Sequence, residues 1–339
     1  MLLLGVSVRR RRHRPSRRRA LVPAAAMAAV TALALATAGC GGGSDGSGSG
    51  SISGLPTVSG AVGEQAVIAI PTNQPPPTRV ESGVLVRGNG QPLADGDAVV
   101  VDYTLMNWTG AKLVGSTYGA NGSPDKTQEF VLGSDAALGS WNQALQGVQV
   151  GSRVEIVTPP AGAFGTGGAT AYGIKGTDDL VYVLDVVGGY PKNADITGTQ
   201  PDQRAADAPV VAGNPGTGGV HIRLPAGSAP TTLQSTVLIH GSGAPVTAGQ
   251  RLMVQYTGVD WNTGKQFDSS FGRGIASFVF GSDTVISGWN KGLVGDRVGD
   301  RVLLVIPAAD AYGSKGVPSV GIHGGDTLVF VVDVVDALS

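Results

Sequence analysis

The sequence predicts two tandem α+β modules, each an antiparallel sheet packed on one short helix. Three observations favour this organisation. The chain repeats itself at an offset of about 150 residues, which is the signature of a duplicated module. Gly accounts for 54 of the 339 residues and Pro for 20, which favours turn-rich β structure over long helices. Hydrophobic residues make up 42% and charged residues 14%, so the chain can bury real cores and is not disordered.

The internal repeat sets the predicted domain boundaries. Five pairs of blocks recur in the same order: 84–90 and 237–243, 103–108 and 256–261, 130–135 and 278–283, 141–142 and 289–290, and 180–183 and 328–331. Such colinearity is not expected by chance. We therefore expect modules over residues 56–190 and 209–339, joined by a linker over residues 191–208.

Strands are predicted from apolar periodicity in the second module. Leu252, Val254 and Tyr256 alternate with polar residues, a pattern typical of a half-buried strand with Tyr256 on its inner face. Two further runs rich in β-branched residues, 301–306 and 327–334, predict two more strands.

One segment of the second module has helical spacing, residues 285–293, with Trp289 on its apolar side. Residues 267–270 are predicted to lie in a loop flanked by Gly, and residues 311–313 follow a strand that ends at a proline. Because loop side chains often line pockets, the aromatic residues at these two places are candidates for a binding site.

The first 40 residues predict an export signal. A run of eight Arg within the first 19 residues precedes an apolar stretch over residues 20–38. Ala38 and Gly39 stand immediately before Cys40, the only cysteine, as in a bacterial lipobox whose cysteine receives a lipid. The Gly/Ser-rich residues 41–55 then predict a flexible tether. We expect an extracytoplasmic protein anchored to the cell membrane through Cys40. The alternative is a plain signal peptide with an incidental cysteine. The sequence leaves open whether export uses the Sec or the Tat route.

Composition excludes several function classes. From residue 41 onward the chain has 16 Lys and Arg against 25 Asp and Glu, so a nucleic-acid partner is not expected. Past the leader, His221, His240 and His323 show no metal-ligand spacing, and Cys40 is the only thiol. Neither a metal, a cofactor, a catalytic thiol nor a Ser-His-Asp triad is therefore expected.

Six blocks of the second module resemble, in order and spacing, the FKBP-type peptidyl-prolyl isomerases. They are VQYTG at 254–258, TGKQFDSS at 263–270, FVFG at 278–281, VISGW at 285–289, AYG at 311–313 and DTLVF at 326–330. The resemblance implies a five- or six-stranded antiparallel sheet wrapped on one short helix. It also implies an enzyme that rotates X–Pro bonds without a covalent intermediate and without a cofactor.

The resemblance also implies the site residues and the partners. The implied catalytic residues are Tyr256, Phe267, Asp268 and Tyr312, and the implied substrate-binding residues are Phe278, Val285, Ile286, Trp289, Ile322 and Phe330. Trp289 would form the floor under the proline ring, while the Ile286 N–H and the Tyr312 hydroxyl would hold flanking carbonyls. Implied partners are proline-containing polypeptide chains and ligands of the macrolide immunosuppressant type.

The first module departs from this pattern. Aligned by sequence, residues 113–116 match residues 267–270, which places Val114 at the Asp268 position, and Phe164 replaces Tyr312. The aromatic residues that form the core are kept. We therefore expect a degenerate first copy that lacks the polar groups of the pocket.

The predicted function is a lipid-anchored prolyl isomerase that assists the folding of exported proteins. The alternative is a non-catalytic surface protein that binds proline-containing peptides or acts like a chaperone. A third interpretation, an inert spacer built of β domains, is disfavoured because Phe267, Asp268 and Tyr312 are retained.

Overall fold

The computed structural model describes residues 54–119, 127–198, 208–216 and 218–339. The predicted signal segment 1–40, nearly all of the predicted tether and residues 199–207 of the predicted linker lie outside the described residues. Within the described part, no helix is long and apolar enough to cross a membrane.

The first module is a short hairpin followed by an antiparallel sheet and one helix. Its elements are β1 (Thr57–Ser59), β2 (Val67–Ala69), β3 (Glu81–Val86), β4 (Ala98–Asn107), β5 (Lys112–Ser116), β6 (Gln128–Val131), α1 (Gly139–Leu145), β7 (Arg153–Thr158) and β8 (Leu180–Tyr190). The strands β3-β7-β8-β4-β5 are neighbours in that order, and β6 pairs with the remaining part of β4.

The second module repeats this plan element by element. Its elements are β9 (Val210–Ala212), β10 (His221–Arg223), β11 (Gln234–Ile239), β12 (Arg251–Asp260), β13 (Gln266–Ser269), β14 (Ala276–Val279), α2 (Ser287–Gly292), β15 (Arg301–Ile306) and β16 (Leu328–Leu338). The order β11-β15-β16-β12-β13, with β14 on β12, equals that of the first sheet. The predicted α+β class is confirmed, with six strands in each of the two large sheets that the described residues form.

The inner face of each sheet packs on the helix, as the periodicity predicts. Leu252, Val254 and Tyr256 lie together in one core with Trp289 of α2. The helix itself is shorter than the predicted segment 285–293, and spans Ser287–Gly292. An isolated helix of this length is not stable in water, so its stability comes from burying the indole against the sheet.

The outer face of each sheet is buried too, which corrects the prediction of a half-buried strand. Gln255 and Thr257 on β12 are 0% and 2% exposed. The hairpin β9–β10 covers this side in the second module, where Val211 packs in one cluster with Val329. The hairpin β1–β2 covers the corresponding face of the first module. These three-residue strands are too short to be recognised from periodicity.

A buried ion pair connects each covering hairpin to its sheet. Arg153 donates to both carboxylate oxygens of Asp185 at 2.7 Å each, and also to the carbonyls of Gly60 and Glu64 at 2.8 Å. In the second module Arg301 and Asp333 form the same pair at 2.6 and 2.7 Å. A buried guanidinium needs its donors satisfied, and the hairpin carbonyls do this.

The two modules pack against each other. Val100 and Tyr190 of the first module share an apolar cluster with Met253 of the second. The Tyr190 hydroxyl donates to Asp336 at 2.6 Å, and Arg251 pairs with Glu129 at 3.2 Å. The chain is therefore not two independent domains on a flexible linker.

Glu155 is a buried carboxyl group that has no hydrogen-bond partner among the residues the structure describes. It lies on β7 and is 0% exposed, and neither of its carboxylate oxygens makes a hydrogen bond to any described residue. It occupies the outer face beneath the β1–β2 cover, at the position where the second module has Leu303 in its outer core. Burial raises the pKa of Glu155 from its usual value near 4.5 to about 8.

We expect Glu155→Leu to stabilise the protein, and increasingly so as the pH rises from about 5 to about 8. In the unfolded chain Glu155 ionises near pH 4.5, whereas in the folded chain it stays protonated up to about pH 8. The wild type therefore loses stability relative to the variant over this window, by at most about 1.4 kcal/mol per pH unit, and the difference is constant above it. Urea unfolding at several pH values measures this gap.

The control is Glu81→Leu, at a partly exposed glutamate on β3, which should show no such growth with pH. A stability difference for Glu155→Leu that is independent of pH would contradict the buried, protonated state.

Candidate functional site

Trp289 lies at the centre of an aromatic cluster in the second module, where the sequence predicts the floor of the pocket. Its ring makes edge-on contacts with Tyr256 and Phe278, at centroid distances of 5.4 Å each, and with Phe330 at 5.3 Å. Trp289 is only 3% exposed. Such edge-to-face packing on three sides leaves the ring no freedom to rotate, so the floor is rigid.

Phe267 forms one wall, and a glycine makes room for it. Its ring packs edge-on against Phe330 at 5.5 Å. A Cβ added to Gly258 on the neighbouring strand would lie 2.6 Å from the Phe267 ring and 2.8 Å from the Phe330 ring. Any side chain at residue 258 would displace this wall, and only glycine fits.

The polar edge of the pocket is a carboxylate held from two sides. Asp268 on β13 accepts a hydrogen bond of 2.6 Å from the Tyr256 hydroxyl, and its other oxygen pairs with the half-exposed Arg273. Burial, followed by the hydrogen bond to Asp268, raises the pKa of Tyr256, so its hydroxyl keeps its proton. The carboxylate is thus fixed in orientation as a negative charge at the rim.

Tyr312 lies close to this carboxylate on the segment after β15. Pro307 ends the strand and a single 3₁₀ turn, Ala308–Asp310, carries the chain to Tyr312. Burial, and then the charge of Asp268, raise the pKa of Tyr312 to about 12. Its phenol therefore stays protonated at neutral pH and is a hydrogen-bond donor.

A backbone donor lies at the start of α2. Ile286 is the N-cap residue, with extended backbone angles, and its N–H donates to no group among the described residues. Val285 and Ile322 are 9% and 1% exposed, and both belong to the same apolar core as the floor. A ligand carbonyl in the pocket could accept from this N–H.

The structure brings all ten predicted site residues together. Nine of them lie in or against one apolar core, and Asp268 joins them through Tyr256. The predicted loop over residues 267–270 is wrong: β13 is a strand paired with β12, and this pairing aims Asp268 at Tyr256. The sequence analysis did not identify Gly258 and Arg273 as site residues. Arg273 stands between two glycines shortly after Asp268, and this position is a weak sequence signal of a role at the site.

The register of the first module corrects its sequence alignment by one residue. Gly115 pairs with Leu105 where Asp268 pairs with Gly258. The position of Asp268 is therefore taken by Gly115, not by Val114, which stands at the position of Phe267. The Thr117 hydroxyl confirms the shift, since it accepts from the Tyr103 N–H at 2.8 Å as Ser270 does from Tyr256.

A cavity of about 220 Å³ remains in the first module. Its floor is Trp141, which contacts Tyr103, Phe130 and Tyr182 at 5.9, 5.2 and 5.4 Å. Phe164, at the position of Tyr312, lines the cavity without a hydroxyl group. Among the described residues, the first cavity is therefore lined by the phenols of Tyr103, Tyr172 and Tyr182, but it has no carboxylate at the position of Asp268 and no hydroxyl group at the position of Tyr312.

Comparison with known proteins identifies the shared architecture. The family model for FKBP-type peptidyl-prolyl cis-trans isomerase matches residues 90–187 and 243–335, which together are more than half of the chain. The two matched regions fall in the two six-stranded sheets.

Individual relatives agree with this match. The FK506-binding protein of Streptomyces anulatus is 42% identical over 115 residues, 34% of this chain and 93% of the relative. The "Probable FK506-binding protein" of Corynebacterium glutamicum is 43% identical over 116 residues, 34% of this chain and 96% of the relative. The peptidyl-prolyl cis-trans isomerase FPR2 of Saccharomyces cerevisiae is 44% identical over 92 residues, 27% of this chain and 67% of the relative. With two copies of the fold, each built around an aromatic cluster with a buried tryptophan, the chain belongs to the FKBP-type peptidyl-prolyl cis-trans isomerases.

Proposed function

We propose that the second module carries the isomerase activity and acts on X–Pro bonds of exported proteins at the outer face of the cell membrane. One observation carries the assignment to this module. Asp268 is held between the Tyr256 hydroxyl and Arg273 at the edge of the aromatic pocket. The first module has Gly115 and Phe164 where the second has Asp268 and Tyr312.

Rotation of a prolyl amide requires loss of its resonance, with an uncatalysed barrier of about 18–20 kcal/mol. No bond to the protein has to form. The twisted amide is less dipolar than the planar one, so an apolar pocket over Trp289 favours it by excluding water. Lowering the barrier by about 6 kcal/mol accelerates rotation on the order of 10⁴-fold.

Three polar groups position the peptide in this mechanism. The Ile286 N–H and the Tyr312 hydroxyl donate to carbonyls on either side of the proline. The Asp268 carboxylate faces the carbonyl that turns out of plane, and Tyr256 and Arg273 keep it from rotating. Because these dipoles are fixed before the substrate arrives, they stabilise the twisted state without reorganisation.

The first module supports a second role, proline-peptide binding without turnover. Its cavity keeps an aromatic floor in Trp141 and space for an apolar ring. It lacks the fixed carboxylate, so its apolar lining alone stabilises the twisted amide over the planar one too little for turnover. A chain with one catalytic pocket and one pocket that only binds could retain an unfolded substrate protein between successive isomerisations. Macrolide-type ligands would compete at both pockets.

Placement at the membrane is supported by the sequence alone. The apolar stretch 20–38 and the small residues before Cys40 have the composition of an export signal with a lipid-accepting cysteine. The Gly/Ser-rich segment after Cys40 has the composition of a flexible coil. In this arrangement the two modules face newly exported chains.

Asp268→Val and Tyr312→Phe should each lower kcat/KM for a short X–Pro peptide by about tenfold in the full chain. Each removes roughly 1.4 kcal/mol of transition-state stabilisation. A proline-limited refolding assay measures the same loss on a protein substrate. Asp283→Val, at an exposed aspartate outside the pocket, serves as the control. Wild-type rates in both pocket variants would show that the activity lies elsewhere.

Gly115→Asp combined with Phe164→Tyr should create activity in the first module. A Cβ at Gly115 meets no atom within 4 Å, and the new carboxylate would stand next to Tyr103 as Asp268 does to Tyr256. The test is made in the Asp268→Val background, so that gained turnover is seen above the residual rate. The control pair, Gly115→Asn with Phe164→Tyr, adds the bulk without the charge and should gain less.

Cys40→Ala should release the protein from the membrane fraction or block its processing. Mass spectrometry of the purified wild type should show the lipid on the N-terminal cysteine. Ser44→Ala in the tether is the control and should remain bound. Unchanged membrane retention and unchanged mass of Cys40→Ala would disprove the lipid anchor.

A further inference from the structure

The first residues of the linker are bound to the outer face of the second module. The side-chain amide of Gln255 donates one hydrogen bond to the Lys192 carbonyl at 3.1 Å and another to the Ala194 carbonyl at 3.0 Å. Gln255 is 0% exposed, so these bonds replace water that the amide cannot reach. The linker therefore completes the hydrogen bonding of a core residue.

Further contacts hold the same segment. The Asp195 carboxylate accepts from the Gly216 N–H at 2.6 Å, and Ile196 is only 6% exposed. Burial raises the pKa of Asp333 to about 7; the Arg301 guanidinium acts to lower this pKa, and the neighbouring Asp195 carboxyl acts to raise it. The linker thus contributes to the same polar layer as the buried ion pair.

Gln255 connects this layer to the pocket. Its side-chain oxygen accepts a hydrogen bond from the Ser270 hydroxyl, which in turn accepts from the Tyr256 N–H at 2.8 Å. The Ser270 N–H donates to the Tyr256 carbonyl at 2.9 Å. Ser270 directly follows β13, the strand that carries Phe267 and Asp268.

This strand needs support from outside the sheet. β13 lies at the sheet edge, pairs with β12 through only three residue pairs, and shifts register next to Gly258. A carboxylate that stabilises a transition state must be held to within about 0.5 Å, which a short edge strand does not guarantee by itself. The hydrogen bonds of Ser270 to Gln255 and Tyr256 hold the end of β13 that lies nearest Asp268.

We propose that the docked linker is part of the isomerase: through Gln255 and Ser270 it positions the strand that carries Phe267 and Asp268. Gln255 is a positioning residue that never touches the substrate. This inference rests on the proposed assignment of activity to the second module. The linker continues directly from β8, whose last residue, Tyr190, is bound to Asp336. Docking of the first module therefore sets the turnover of the second.

The experiment compares three variants in the full chain. Gln255→Met keeps the side-chain volume but removes the amide oxygen and nitrogen, and Asp195→Ala loosens the linker outside the pocket. Gln234→Met, at an exposed glutamine on β11, is the matched control. Asp268→Val is measured alongside. The readouts are kcat and KM on an X–Pro peptide and the amide NMR signal of Ser269, whose N–H donates to the Asp268 carboxylate at 2.8 Å. Misplacement of Asp268 affects the twisted state more than the ground state, so we expect kcat to fall about three- to tenfold while KM changes less than twofold.

A fall in kcat for Gln255→Met or Asp195→Ala, with a shifted Ser269 signal and an unchanged control, supports the proposal. Wild-type kcat in both variants while Asp268→Val is impaired overturns the linker's role and leaves the activity assignment intact. Wild-type activity in Asp268→Val overturns the activity assignment and the linker's role with it. If Gln255→Met does not fold, the result for Asp195→Ala decides.

Discussion

The buried Arg–Asp pair on the outer face of each sheet is the constraint on which the rest of the structure depends. A guanidinium in a dry core needs partners for all its donors, and Asp185 supplies only two acceptors to Arg153. The carbonyls of Gly60 and Glu64 in the covering hairpin supply two more. The hairpin therefore covers the outer face of the sheet, opposite the inner face that carries the aromatic cluster.

The two pockets diverged by a paired exchange on neighbouring strands. In the second module Gly258 leaves space that the Phe267 ring fills, whereas in the first Leu105 and Val114 share that volume. Each copy thus fills this place with apolar side chains from both strands. The polar group differs at the next position, where Gly115 stands in one copy and Asp268 in the other. Stability and catalysis thus depend on different residues of one strand.

Much of the fold follows from local patterns, and nearly all of the candidate site follows from the resemblance to a family. The 3.6-residue spacing around Trp289 and the alternation ending at Tyr256 reflect contacts within one element or between adjacent strands. The ten pocket residues followed from resemblance to a family whose blocks keep their order and spacing. The one-residue misalignment in the first module had a physical cause: sequence blocks carry no information on strand register, and a slip of one residue moves every side chain to the other face.

The sequence by itself determined the duplication and the α+β class, because these depend on residue type and short-range spacing. Only the tertiary structure decided what covers the outer faces, that Glu155 is buried without a hydrogen-bond partner in the described part of the chain, and that the linker docks on Gln255. These features join residues far apart in the chain, and no local pattern records which distant carbonyl will satisfy a buried donor. Long-range hydrogen bonding is chosen by the folded backbone, since burial makes an unpaired polar group costly wherever the chain places it.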